Sequence, residues 1–501
     1  MAAGIRSLAP RGALAALGLV AALVSGPAPR AASASDPPAA LEIPETPPGR
    51  RVRDYFAAFA RDEAAMRAYF EANVSADDLA RRPLADRLEV WREMRAEHGR
   101  LAARRVAGTG PDFIEIEAEN AHGVRLAMRF LFSPEPPHTL RGIRVEDLAG
   151  AGPPPAPAGP PPSDEAIVEA LGAELDSLSA ADAFSGVALL DRDGKTIYAR
   201  AFGLASREER RPNTLETRFN LGSINKIFTH VAVLQLAAEG RLRLDDTVDR
   251  WLPDYPGEAG AKITLRMLLD HRGGVPDVFA SPYFRDGGDP GRLRTHADWY
   301  ALVRAMPLDF EPGTRQAYSN GGFVLLGEVV ARASGRDYHD VVRERIYRPA
   351  GMTRSDSYAR DARVPDRARP YTRGAEHGGG AAPGGPSWRD ATPGLPGRGS
   401  AAGGGYATAG DLVRFARALR SGALVRGPDA ARFVGPQGAL GIAGGSPGVN
   451  ALLISEGPYT LVVLANQDPP AAERFARTAG AMVRRAAAAA AGSGGPTGAR
   501  R

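Results

Sequence analysis

The sequence predicts an α+β protein. A small α+β domain is followed by a larger one, whose antiparallel sheet is built from both ends of the domain with a helical region inserted between them. Three observations predict this. A hairpin pattern opens the larger domain, a second hairpin pattern closes it, and a Pro/Gly/Ala run from Ala149 to Pro162 reads as a semi-extended linker between the two domains.

At 501 residues the chain is too long for one ordinary core. Met1 to Ala34 reads as a secretory signal peptide. Arg6 and Arg11 form its positive region, Ala13 to Val24 is apolar but short for a bilayer, and Ala32-Ser33-Ala34 offers a small-residue cleavage site. An uncleaved anchor is the alternative reading. No other stretch is apolar enough to cross a membrane, so no stable membrane span is expected after cleavage, and the expected location is periplasmic or secreted. With no cysteine, neither a disulfide framework nor a cysteine-linked lipid anchor can form. The net charge of +5 is spread along the chain, and no basic run interleaved with aromatics appears, which argues against nucleic acid as a partner.

Residues 35–50 are rich in Pro and Ala and read as a flexible lead-in. The small domain, 51–148, starts with helical segments at Asp54 to Ala72 and Leu84 to His98. Alternation then predicts strands at Phe113 to Glu117 and Val124 to Phe130, with Asn120 to Gly123 as the turn and a third strand over Leu140 to Val145. Alternation also puts Glu115 and Glu117 on a solvated strand face. No cluster of catalytic residue types occurs here, so this domain carries no functional expectation.

The larger domain, 163–487, opens with a helix over Asp164 to Leu178. Strands at Phe184 to Leu190 and Lys195 to Phe202 flank the turn Asp191 to Gly194. At the far end Val449 to Ile454 and Tyr459 to Ala465 form the second hairpin, framed by helices over Asp411 to Leu419 and Ala471 to Ala487. Residues 488–501 read as a disordered tail.

Between the hairpins, Arg218 to Thr229 leads into the apolar run Val231 to Leu236 and predicts a helix entered through Gly222. Ser223 and Lys226 are three residues apart, so a helical turn puts hydroxyl and amine on one face. A helix N-terminus and burial both favour the neutral amine, which can take the proton of a serine nucleophile. Arginine cannot, and Lys195, Lys226 and Lys262 are the only lysines in the sequence. A solvated Ser and Lys on a helix surface is the plain alternative for the motif taken alone.

Phe219 to Lys226 resembles the first motif of the serine β-lactamases and penicillin-binding proteins, Ser-x-x-Lys. Glu311 to Phe323 is similar to the second motif in its Tyr-x-Asn form, with Tyr318 and Asn320, and points to the branch of class C β-lactamases, D-Ala carboxypeptidases and esterases. Thr264 to Pro276, Gly404 to Leu412 and Pro447 to Asn450 add ordered matches over about Ala166 to Ala487. The resemblance implies a β-lactamase/transpeptidase-like fold and a serine hydrolase that forms an acyl-enzyme on Ser223. Lys226 and Tyr318 would handle the proton jointly, the phenol pKa being lowered by Lys226, and Asn320 would hold Lys226 and the substrate. Substrates would be small molecules or peptides, cell-wall fragments among them, as for an esterase, a D-aminoacyl peptidase or a weak β-lactamase. No cofactor is implied.

The third motif departs from the family's Lys-Thr-Gly or His-x-Gly. No lysine follows Lys262, and aligning on Gly444 to Gly448 puts Ile442-Ala443-Gly444 at that position, with Ile442 where a cation or imidazole stands. His377-Gly378-Gly379 fits His-x-Gly in letters but lies in a Gly-rich stretch with no strand pattern. The N–H groups of Ser223 and Gly445 can still form an oxyanion hole, which needs no particular side chain. Arg272 and Arg398 are candidates to replace the charge. The departure leaves a second reading open: a non-catalytic or weakly active cell-wall or ligand-binding protein on the same fold. Asp270 and His271 are neighbours, but the eight histidines show no metal-ligand spacing, so no metal is expected. His230, one turn beyond Lys226, reads as a packed histidine.

Overall fold

The structure, a computed structural model, describes residues 43–81, 83–110, 112–120, 125–147, 160–373, 387–427 and 439–493. The signal segment 1–34, most of the 149–162 linker and His377-Gly378-Gly379 lie outside the described residues. The chain divides into two compact units, with Ser25–Gly159 in one and Pro160–Arg501 in the other.

In the smaller unit, helices α1 (Pro47–Ala60), α2 (Glu63–Asn73), α3 (Ala76–Arg81) and α4 (Leu84–His98) precede an antiparallel sheet. Its strands β1 (Leu101–Thr109), β2 (Phe113–Asn120), β3 (Arg125–Phe132) and β4 (Leu140–Asp147) pair in sequence order. Four features differ from the sequence reading. The lead-in ends in structure, because Thr46 caps α1 and Ile43 is buried. The helix expected over 54–72 breaks where the Asp62 carboxylate caps α2. Strand β1 was not expected, since two bulges against β2 upset its alternation. Glu117 is buried rather than solvated, and it pairs with both Arg105 and Arg125.

In the larger unit, Ser163 caps helix α5 (Asp164–Ala180), and β5 (Gly186–Arg192) turns through Asp193-Gly194 into β6 (Lys195–Phe202). Three short ribbons follow. They pair β7 (Leu204–Ser206) with β8 (Arg211–Pro212), β9 (Phe219–Asn220) with β12 (Tyr406–Ala407), and β10 (Tyr371–Thr372) with β11 (Arg389–Asp390). The last strands, β13 (Leu440–Ser446), β14 (Val449–Glu456) and β15 (Tyr459–Ala465), return to the first pair in the antiparallel order β13-β14-β15-β5-β6. Both ends of the unit thus share one sheet.

Strands β14 and β15 are buried on both faces, and alternation sorts their side chains between two cores. Leu452, Ile454, Leu461 and Val463 pack with Ile167, Leu171 and Leu175 of α5 and with Val483 of the last helix. Leu453, Val462 and Leu464 pack on the other side with the inserted helical region. At the centre of that region is helix α6 (Lys226–Ala238), apolar on nearly all sides and buried accordingly. The segment expected to be one helix over Ala471 to Ala487 is a 3-10 turn, Glu473–Ala476, and then a helix over Ala479–Ser493. That helix runs into the stretch read as a disordered tail.

Candidate active site

Ser223 sits in a 3-10 turn, Gly222–Asn225, immediately before α6, so the hydroxyl and Lys226 face the same gap. Gly222 has φ +49°, and a Cβ there would come within 2.9 Å of the Gly445 nitrogen. A Cβ on Gly444 would meet the Leu221 carbonyl oxygen at 2.1 Å and the Ser223 nitrogen at 2.7 Å. Strand β13 therefore passes the serine turn closely enough that only glycine fits at the crossing. Asn450 holds it there: its Nδ2 donates to the Gly444 carbonyl at 3.2 Å, and its Oδ1 accepts from the N–H groups of Ala472 and Glu473.

Tyr318 and Asn320 come from the opposite wall, at the start of the helix Asn320–Ser334, which Ser319 caps through the Gly322 N–H. The Tyr318 hydroxyl is 2.8 Å from Ser223 Oγ and donates to Asn320 Oδ1 at 3.3 Å. Lys226 Nζ lies 3.1 Å from Ser223 Oγ, 2.6 Å from Asn320 Oδ1 and 2.5 Å from the Ala402 carbonyl oxygen. The last two are acceptors only. A neutral amine has two N–H bonds to donate, and these two contacts take both, leaving its lone pair for the serine hydroxyl. The pair Ser223 and Lys226 and the pair Tyr318 and Asn320, 95 residues apart from Ser223 to Tyr318, meet in one hydrogen-bonded cluster.

Burial sets the protonation of this cluster. Lys226 is 3% exposed, with the Tyr318 and Phe323 rings 4.8 and 5.7 Å from its nitrogen. Desolvation lowers its pKa to about 7, against the opposing pull of the Asp277 carboxylate. Tyr318 corrects the sequence reading. Its pKa is raised by burial and by Asp277, with the Ser223 hydrogen bond only partly offsetting them, so the phenol is held protonated rather than acidified by the lysine.

His271 and Asp277 escaped sequence reasoning as parts of this site. His271 adopts a left-handed backbone at φ 57°. Its Nδ1 accepts the Ser319 N–H at 3.1 Å, its carbonyl accepts the Ala317 N–H at 2.9 Å, and its ring lies on Tyr318 with centroids 4.8 Å apart. Burial and Lys226 lower its pKa to about 3, so it is a neutral support for the Tyr318 segment. Asp277 Oδ2 accepts from Asn320 Nδ2 at 2.9 Å and so orients that amide toward the lysine. The nearest sequence signal was position, since both fall in or beside the matched Thr264 to Pro276 stretch. His230 stays on α6 as a neutral imidazole, its pKa lowered to about 3 by burial.

Ile442 shares a strand face with Gly444, packs against the helical-side core and remains partly exposed. Arg272 Nη2 donates to the Gly313 carbonyl at 2.5 Å, and Arg398 Nε to the Ser357 carbonyl at 2.7 Å. Among the described residues no cluster of His, Asp and Glu is arranged to hold a metal ion.

The Beta-lactamase family profile matches residues 167–483. The chain belongs to the beta-lactamase family. Among its relatives, esterase EstB of Burkholderia gladioli is 37% identical over 177 residues, covering 33% of this chain and 45% of the relative. A D-aminopeptidase of Brucella anthropi is 33% identical over 172 residues, 34% of this chain and 32% of the relative. The chain spans less than half the length of these two curated relatives. Among solved structures, a penicillin binding protein from Bacillus halodurans superposes with a TM-score of 0.54 at 29% identity, over 60% of this chain and 97% of that one. A D-stereospecific amidohydrolase from Streptomyces sp. gives 0.51 at 26% identity, over 64% and 99%. The family profile falls on the larger unit, and the family's members include serine hydrolases of the penicillin-binding protein and esterase types. Among the described residues no helix is long and apolar enough to cross a membrane.

Proposed function

We propose that this beta-lactamase family member is an exported serine hydrolase that forms an acyl-enzyme on Ser223 from an ester or amide. The observation that carries the reading is the donor count at Lys226: Asn320 and the Ala402 carbonyl occupy two N–H bonds, and the third direction meets the Ser223 hydroxyl at 3.1 Å. In the proposed reaction Ser223 Oγ attacks the carbonyl carbon as its proton passes to Lys226. The N–H groups of Ser223 and Gly445 receive the oxyanion. The Tyr318 phenol protonates the leaving group and regains a proton from the Lys226 ammonium, and water then reverses the sequence to free the acid. The apolar, short segment Ala13 to Val24 behind Arg6 and Arg11 supports export to a periplasmic or secreted location.

Ile442 in place of a cation removes the usual partner of a substrate carboxylate, which favours neutral esters and amides over β-lactams and peptides ending in a carboxylate. The same substitution supports the second reading, a ligand-binding protein with a blunted cleft. A fluorophosphonate probe followed by peptide mass spectrometry separates the two. Labelling of Ser223 in the native chain and its loss in Lys226→Arg support the hydrolase; a folded native chain that stays unlabelled leaves the binding protein.

A further inference from the structure

Asp277 is built into the candidate site in a way the proposed chemistry does not require. Its Oδ2 accepts from Asn320 Nδ2 at 2.9 Å, and its Oδ1 accepts from the Phe279 N–H at 3.0 Å. Holding the Asn320 amide needs only an acceptor, which a neutral side chain supplies equally well. The negative charge is a burden here, because it favours the ammonium form of Lys226, the form that cannot act as a base. Among the described residues no arginine or lysine forms an ion pair with Asp277. Above about pH 7, where Lys226 is mostly neutral, and with Ile442 where a cation would stand, the wall beside Asn320 carries an anion without a counter-ion among the described residues. Next to it is an apolar ledge: Phe279 is 50% exposed, and its ring lies 5.2 Å from that of Phe284 and 5.9 Å from that of Trp299.

Resting on the hydrolase reading above, we propose that Asp277 selects acyl groups that carry a free primary ammonium and an apolar side chain, as in aminoacyl esters and amides. Ser223 Oγ, the atom that would carry the acyl group, lies within two hydrogen-bond lengths of Asn320 Oδ1, since Lys226 Nζ contacts both, at 3.1 and 2.6 Å. In this proposal an ammonium on the α-carbon of that acyl group reaches past the Asn320 amide to the Asp277 carboxylate that the amide contacts at 2.9 Å, and an aromatic side chain on the same carbon lies on the Phe279 ledge. A substrate carboxylate in the same place is repelled. Asp277 thus becomes a specificity-determining residue that supplies the cleft's missing counter-charge in reverse.

The test compares phenylalanine p-nitroanilide with its N-acetyl form, in both enantiomers. The native chain is expected to favour the free amine in kcat/KM by about tenfold or more, the effect of one partly desolvated ion pair. In Asp277→Asn that ratio collapses toward one, whatever loss both substrates share, and in Asp277→Glu most of it returns. Loss of both substrates in equal proportion shows a purely structural acceptor and overturns the proposal, as does a native preference for the acetylated form. Calorimetry with phenylalaninamide and N-acetylphenylalaninamide on Ser223→Ala separates this from the hydrolase reading, because binding needs no acylation. Tighter binding of the amine that depends on Asp277 sustains the proposal even if Ser223 never labels; equal binding of the two ligands overturns it even if Ser223 does.

Discussion

Replacing Lys226 with methionine isolates what burying an amine does to this fold. Methionine fills a similar space without charge, and it leaves Asn320 Oδ1 and the Ala402 carbonyl without their donor, a cost that does not vary with pH. The amine's own contribution does vary. Its pKa of about 7 in the folded chain lies below the ordinary 10.5, a gap worth about 5 kcal/mol. Between those values the unfolded chain binds a proton that the folded chain has released, so native stability rises with pH across that window. Below about pH 7 the folded chain carries the full cost of a buried ammonium. From near pH 6 to near pH 9, the native chain should therefore gain about 3 kcal/mol of stability relative to Lys226→Met. Urea unfolding of both full chains at the two pH values measures this, because contributions from titrating groups not coupled to Lys226 cancel in the difference. A stability difference that stays constant with pH would refute the claim that burial neutralises Lys226.

The catalytic rate should follow the same group. The kcat/KM of a neutral p-nitrophenyl ester is expected to rise through a single ionisation near 7; a rising limb near the ordinary lysine value would remove Lys226 as a neutral base. Tyr318→Phe should lower amide turnover by about 10²–10⁴-fold and activated-ester turnover much less, since a good leaving group needs no proton; equal losses would contradict a phenol that serves the leaving group. His271→Asn tolerates the left-handed backbone but removes the ring lying on Tyr318, and kcat should fall by about tenfold to a hundredfold with KM nearly constant. An unchanged kcat would show that the ring does not position the phenol. Ile442→His should raise kcat/KM for carboxylate-bearing substrates by about tenfold relative to neutral ones, and an unaltered substrate profile would place Ile442 outside the binding cleft.

Local rules made much of this molecule legible in its letters. The two hairpins at either end of the larger unit follow from alternation and turn residues, which act over a few positions. The Ser223–Lys226 pair follows from the pitch of one helical turn, although that turn is 3-10 rather than α. Where such rules failed, distant residues intervened. Strand β1 is bulged to suit its partner, and Glu117 is buried because two arginines from neighbouring strands neutralise it. Likewise, the 3-10 turn Glu473–Ala476 begins where the Asn450 side chain, 22 and 23 positions earlier, accepts the Ala472 and Glu473 N–H groups.

The sequence by itself determined which groups are available for chemistry: a hydroxyl and an amine one turn apart, a phenol with an amide two residues on, and no cation at the third motif. Only the tertiary structure decided their charge states, because a pKa depends on what surrounds a group in space. The Ala402 carbonyl that takes a lysine N–H comes from a loop 176 residues further along the chain. The Asp277 carboxylate that works against the neutral amine reaches it through Asn320, from another part of the chain again. Tyr318 stays protonated because it is buried, and no spacing of letters records burial.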